Sequence, residues 1–274
     1  MKIILSADDF GSTHEMNLAT DYAMRNHLVC STALIMGSAF TNEAIELARK
    51  GQYLENVHCH LNLSACRSTG KHFVPLNETY KNSTYCKDGE FVRYKFSLTD
   101  YKKYADAVFQ ELETQYLTFK ELTKGEANYQ HLDFHLYGNL SIPVAIAYDR
   151  LIQKYRIPSA RFFGAHQAEV KESVVKRLSH ALVMRHCKRS AACVVQSSRI
   201  EYFLARKEQF EHDPVMELFV HLDYRDNVLI DKTQSVFGNE MKPLEEQLNL
   251  LKQAGYTEFI SWKSFDETRG SRSI

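Results

Sequence analysis

The first apolar run of the chain, Ile3-Ile4-Leu5, leads into Asp8-Asp9-Phe10-Gly11, two adjacent carboxylates followed by a residue that can turn the chain. A short apolar run bounded by a turn signal predicts a buried strand. Residues 14–27 then have helical spacing, with Met16, Ala19, Ala23 and Met24 along one face. A short strand follows over 31–36, and Thr41 is suited to cap a helix over 42–50 that Gly51 ends. Further strands are predicted over 57–63, 129–137, 159–163, 191–196, 214–223 and 258–262. Helices are predicted over 99–123, 143–155, 169–189, 200–210 and 243–254. Residues 64–98 break the rhythm with a polar, aperiodic stretch, a length that predicts a functional loop such as a lid. Strand and helix alternate about seven times, which predicts parallel βα units in one α/β domain, as a barrel or as an open sheet. The domain is expected over residues 1–265 with 64–98 as a loop insertion, and residues 266–274 as a disordered or artificial tail.

Composition narrows the classes. With 274 residues and 44% hydrophobic content the chain can bury a large core. Lys+Arg and Asp+Glu balance at 34 each, so there is no basic field to attract nucleic acid or anionic lipid. No stretch approaches the roughly 20 apolar residues of a membrane helix, and the N-terminal run is too short for a signal peptide. The 6 cysteines form no CxxC pair, which fits free thiols and a cytoplasmic location.

The chemistry gathers at predicted strand ends, where parallel α/β proteins build their sites. Two charges at the mouth of a buried strand are costly unless compensated, by a metal ion or a shared proton; the alternative is a solvated helix cap. The two-residue strand period puts His58, His60 and Asn62 on one face. It likewise aligns His131, Asp133, His135 and Tyr137, and Glu217, His221 and Asp223. Imidazoles and carboxylates converging from several strands favour a metal site for Zn²⁺, Mn²⁺ or Fe²⁺. Three protein ligands would leave coordination positions open.

The ordered set Asp8-Asp9-Phe10-Gly11 with Asn17, Val57-x-x-His60-Leu-Asn-Leu and His131-Leu-Asp133-Phe-His135 resembles the YdjC-like (ChbG) carbohydrate deacetylases. Arg161, Glu217-Leu-Phe-Val-His221 and the final Phe-Ile-Ser-Trp extend the likeness over nearly the whole chain. The resemblance implies a distorted (β/α) barrel of the polysaccharide-deacetylase-related type. It also implies one divalent ion (Mg²⁺ or Zn²⁺) and removal of N-acetyl groups from small sugars such as chitooligosaccharides. Carried over residue by residue, Asp9, His60 and His135 match metal ligands, Asp8 the catalytic base, and His221 a histidine near the leaving group. Asn17, His58, His131, Asp133, Tyr137 and Arg161 are expected to bind substrate or orient the ligands, with Arg161 touching substrate or pairing with Asp8. The implied partner is a small acetylated sugar, and homodimerisation is left open.

The chain departs from the family pattern at three places. Tyr137 stands where a second histidine is usual, Leu222-Asp223 replaces Pro-Gly, and His58 replaces a common glycine, either narrowing the site or adding a ligand. The rival readings are another metal-dependent amide or phosphoester hydrolase and a non-catalytic sugar-binding relative. An iron facial-triad oxygenase would need an all-β fold, against the observed alternation.

Overall fold

The computed structural model describes residues 1–65, 72–92, 99–135, 141–161, 193–196, 200–205, 207–210, 215–232 and 242–270, with single helical positions at 174, 178 and 181. The N-terminal part comprises β1 (Lys2–Phe10), α1 (His14–Arg25), β2 (Ser31–Ile35), α2 (Thr41–Lys50) and β3 (Val57–Leu61). After it come α3 (Glu78–Lys81), β4 (Cys86–Lys87), β5 (Glu90–Phe91), α4 (Tyr101–Leu122), β6 (Asn128–Phe134), α5 (Ile142–Tyr155) and β7 (Ser159–Ala160). The C-terminal part holds β8 (Cys193–Gln196), α6 (Ile200–Leu204), β9 (Val215–Val220), β10 (Leu222–Arg225), β11 (Val228–Asp231), α7 (Leu244–Gln253) and α8 (Trp262–Gly270).

The main sheet has the order β7-β6-β3-β2-β1-β9-β8, and each neighbouring pair is parallel. One side chain reports its curvature. Arg161 directly follows β7, yet its guanidinium reaches Asp8 on β1 at 2.5 Å and Glu217 on β9 at 2.6 Å. In a flat sheet β7 and β9 would lie five strand spacings apart, roughly 24 Å, far beyond one side chain. The sheet is therefore curled, with Arg161 inside the curve. This is the α/β class that the strand–helix alternation predicts.

The apolar pattern accounts for the local structure. Every residue of β1 from Ile3 to Phe10 is buried, because the strand is covered on both faces. Thr13 caps α1 by accepting from Met16 N at 3.2 Å. Pro143 sits in the first turn of α5, where its missing N–H costs no hydrogen bond. Helix α2 begins at Thr41 itself, one residue earlier than expected, and the Thr41 hydroxyl turns back to Ile35 O and Ser38 O.

Several segments differ from expectation for identifiable reasons. The strand predicted over 214–223 breaks at His221: β9 ends at Val220, and β10 belongs to a separate antiparallel hairpin with β11. Asp226 and Asn227 both have positive φ, +50° and +63°, the signature of a two-residue turn whose twist suits a hairpin. Residues 258–262 make no regular strand; Phe259 bridges Ile3 once, and Trp262 begins α8. Ser261 caps that helix by accepting from Ser264 N at 3.1 Å, and Trp262 and Phe265 bury its first turn. The helix runs to Gly270, into the tail expected from 266, of which 271–274 lie outside the described residues.

The stretch 64–98 is more built than a lid. It contains α3 and the β4–β5 hairpin, and Phe73, Tyr80, Tyr85 and Phe91 are buried; residues 66–71 and 93–98 lie outside the described set. Its stem is tied to α4, where the buried Glu111 carboxylate accepts from Leu76 N, Asn77 N and Gln115 Nε2 at 2.7–3.1 Å. Gln115 in turn accepts from Asn62 N and donates to Asn62 O. The helix predicted over 169–189 falls almost wholly outside the described residues, as does Tyr137. Among the described residues no helix is long and apolar enough to cross a membrane.

Replacing Glu111 with Leu removes one acceptor from two backbone N–H groups at once, each costing about 1–3 kcal/mol when left unsatisfied. The Glu111→Leu variant is expected to lose at least about 2 kcal/mol of unfolding free energy in urea titration, with a smaller loss for Glu111→Gln.

Candidate active site

The site begins with an irregularity at the end of β1. The register with β2 shifts between Ala7 and Phe10, and Asp9 takes φ +66°, a left-handed conformation that costs a non-glycine residue energy. The bulge turns the two aspartates apart. Gly11, also left-handed at φ +91°, closes the turn, and its N–H donates to Asn17 Oδ1 at 2.7 Å. Asn17 donates onward to Phe40 O and Glu43 Oε2. Its described bonds thus brace the turn rather than line the site.

Asp9 faces three histidines. Its Oδ1 lies 2.7 Å from His135 Nδ1 and 3.3 Å from His60 Nε2, and its Oδ2 lies 3.8 Å from His221 Nε2. One donor atom each from Asp9, His60 and His135 falls within 4.8 Å of the others, and all three residues are buried. The His60 and His135 rings meet edge-on, and Phe73 from the 64–98 stretch packs edge-on against His135. His221, in the break between β9 and β10, is 17% exposed at its side chain and stands at the rim.

Behind the trio, Asp133 organises the next layer. The β3–β6 register sets His60 beside Asp133, and His60 Nδ1–H donates to Asp133 Oδ1 at 2.5 Å. His58 Nε2–H donates to Asp133 Oδ2 at 3.0 Å. Asp8 turns the other way, to Arg161 Nη1; the same Nη1 lies 3.1 Å from Asp133 Oδ2, and Nη2 bonds Glu217 Oε1. Trp262 Nε1–H donates to that same Glu217 oxygen at 2.9 Å, and its ring stacks on His131 at 3.6 Å between centroids.

Electrostatics follow from this crowding. Burial pushes Asp8 up to about 6, against the pull of Arg161. Burial works against charge on His60, but Asp133, Asp9 and Asp8 outweigh it and raise the imidazole to about 10. Burial would raise Asp133 too, yet His60, Arg161 and His58 hold it well below the usual carboxylate range. His131 is driven well below its ordinary value by burial and by His58.

The donor set suits a divalent cation. Asp8, Asp9, Asp133 and Glu217 are all buried, and among the described residues Arg161 is the one fully buried guanidinium beside them. Asp8 Oδ1 and His60 Nε2 are buried without a hydrogen bond, an arrangement expensive unless a ligand completes it. Among the described residues two other groups bring donor atoms together, His58–His131–Asp133 and Asp8–His60–Asp133. Both contain Asp133 beside the Arg161 guanidinium, whose charge opposes a cation there.

Of the residues singled out in the sequence, the fold brings together Asp8, Asp9, His58, His60, Asp133, His135, Arg161 and His221. His58 adds no donor to the trio but bonds behind it, and Arg161 pairs with Asp8. His131 lies one layer back, held through Nδ1 by Ser159 Oγ and against Trp262. Glu217 and Trp262 carried no assigned role; the one available signal was an acid in an otherwise apolar strand.

The fold thus defines a curled parallel α/β scaffold with a buried carboxylate–histidine cluster at its strand ends, a group of residues that could hold a metal ion. The family model described as YdjC-like protein matches residues 2–261, and the chain belongs to that family. It is similar to "Carbohydrate deacetylase 2" of Listeria innocua serovar 6a, 31% identical over 58% of this chain and 59% of that one. It thus spans about three-fifths of that relative's length. "Carbohydrate deacetylase" of Vibrio parahaemolyticus serotype O3:K6 is 25% identical over 88% of this chain and 86% of its own. Among solved structures, a candidate cellobiose-phosphate cleavage protein from Enterococcus faecalis V583 superposes with TM-score 0.68, covering 96% of this chain and 97% of its own at 18% identity, a likeness of fold.

With His60 raised to about 10, a cation that took up the imidazole as a ligand would displace a proton at neutral pH. Calorimetric titration of Zn²⁺ at pH 7.5, in buffers of differing ionisation enthalpy, is expected to report net proton release. Affinity is expected to weaken as the pH is lowered; pH-independent binding without proton release would contradict the His60 role.

Proposed function

We propose that the protein hydrolyses the N-acetyl group of small amino sugars such as chitooligosaccharides, giving acetate and a free amine. In this reading Asp9, His60 and His135 hold one divalent ion (Mg²⁺ or Zn²⁺), within a distorted (β/α) barrel of the polysaccharide-deacetylase-related type over residues 1–265. The observation that carries it is the divergence of two consecutive carboxylates: Asp9 lies among histidines, while Asp8 pairs with a buried guanidinium and keeps Oδ1 without a hydrogen bond. Membership of the YdjC-like family and the deacetylase names of the relatives support a sugar amide as substrate.

When bound, the ion supplies Lewis acidity at the acetamide carbonyl and the attacking water. Asp8 accepts a proton from that water as its oxygen adds to the carbonyl carbon. Arg161, fixed by Glu217, keeps the Asp8 carboxylate in one orientation and favours its charged form. As the carbon–nitrogen bond breaks, the amine nitrogen takes the bonding pair and a proton from His221 at the rim. Asp133 fixes the ring of His60 from behind. The departures from the family pattern at Tyr137 and Leu222-Asp223 are expected to decide which sugar is accepted. A cytoplasmic location fits the thiol usage.

The test is to offer the metal-loaded protein a panel of N-acetylated mono- and disaccharides and measure acetate. No acetate, with the ion confirmed bound, favours a sugar-binding relative, whereas phosphate or ammonia release from other substrates favours a different hydrolase. Asp8→Asn is expected to lower kcat by about 10²–10⁴-fold while ion binding persists. Arg161 lowers the Asp8 pKa, so Arg161→Met is expected to move the acid limb of kcat/KM to higher pH. An unmoved limb would separate Asp8 from the base role.

A further inference from the structure

His58 is wholly buried and makes its bond on the far side of the candidate ion site. Its Nδ1 is buried with no hydrogen bond, which fits the tautomer that carries the proton on Nε2 and donates it to Asp133 Oδ2 at 3.0 Å. The other Asp133 oxygen accepts from His60 Nδ1–H at 2.5 Å. The carboxylate thus has one imidazole on each oxygen, and Arg161 Nη1, 3.1 Å from Oδ2, makes its shorter bond to Asp8.

Without a donor from β3 on Oδ2, the carboxylate would be free to turn about its Cβ–Cγ bond toward Arg161. That rotation would loosen the His60 bond and draw the guanidinium away from Asp8. We propose that His58 is a positioning residue of the ion site. It pins Asp133 so that His60 keeps Nδ1–H and presents Nε2 beside Asp9, and it leaves Arg161 Nη1 to Asp8. The proposal rests on the reading of Asp9, His60 and His135 as the ion-holding trio. It assigns the departure from the family's glycine a function in the chain of bonds behind the ligands, one step beyond the usual carboxylate–histidine pair.

The test measures Zn²⁺ affinity by competition with a fluorescent chelator for the wild type, His58→Met, His58→Gln, Asp133→Asn and the His58→Met/Asp133→Asn double variant. His58→Met is expected to weaken binding about 10-fold or more, and His58→Gln, which retains an N–H, to recover most of it. In the Asp133→Asn background the His58→Met change is expected to cost less than about twofold, because the link it serves is already cut. Unchanged affinity in His58→Met, or an equal loss in both backgrounds, would overturn the proposal in favour of packing alone. Long-range ¹⁵N–¹H spectra of the Zn²⁺-loaded wild type need no variant: Nε2–H is expected for His58 and Nδ1–H for His60. An Nδ1–H tautomer at His58 overturns the proposal even if His58→Met fails to fold. A wild type that binds no Zn²⁺ would sink the trio and this inference together, whereas unchanged affinity in His58→Met sinks this inference alone.

Discussion

One guanidinium inside the curl of the sheet holds the chemistry in register. Arg161 comes from the β7 edge and meets carboxylates from β1, β6 and β9, so the ion pairs also record how far the sheet bends. Taking so many charges out of water is costly, and the mutual bonds return that cost only if every partner stays in place. Losing one partner of a buried cluster typically costs about 3–5 kcal/mol. The curvature of the scaffold and the orientation of Asp8 are therefore two expressions of one constraint.

Around it the polar interior divides into two connected halves. One runs from Trp262 through Glu217 and Arg161 to Asp8, and the other from His58 through Asp133 and His60 to Asp9. They touch where Arg161 Nη1 lies between Asp8 and Asp133. In the proposed reaction the first half manages a proton and the second manages an ion.

Much of this was readable from local pattern. The strand period aligned His58 with His60 and His131 with Asp133, and adjacency of β3 and β6 then made the hydrogen bonds. Apolar leads into Asp8-Asp9 marked the site's floor. What pattern could not supply was anything that depends on curvature: Arg161 and Glu217 are 56 positions apart and meet only because the sheet closes toward itself. Nor could it separate β9 from the hairpin, since residues 215–222 are mostly apolar with no Gly or Pro to mark a turn, and the break at His221 is set by pairing with β11. Trp262 has strand propensity, but its burial against His131 and the Ser261 cap draw it into a helix. Asn17 sat in the right motif, and its described bonds brace the turn beneath the site rather than the site itself.

The β10–β11 hairpin has a consequence of its own. It carries no strand of the main sheet, yet Asp231 on its return strand accepts the backbone N–H of His221, and Leu222 is pinned opposite that same residue. The rim histidine is thus mounted on a two-stranded ribbon whose only tight turn is Asp226-Asn227. Lengthening or shortening the ribbon would re-aim the rim while the floor beneath stays as it is. The scaffold in this way separates what it grips from what it admits.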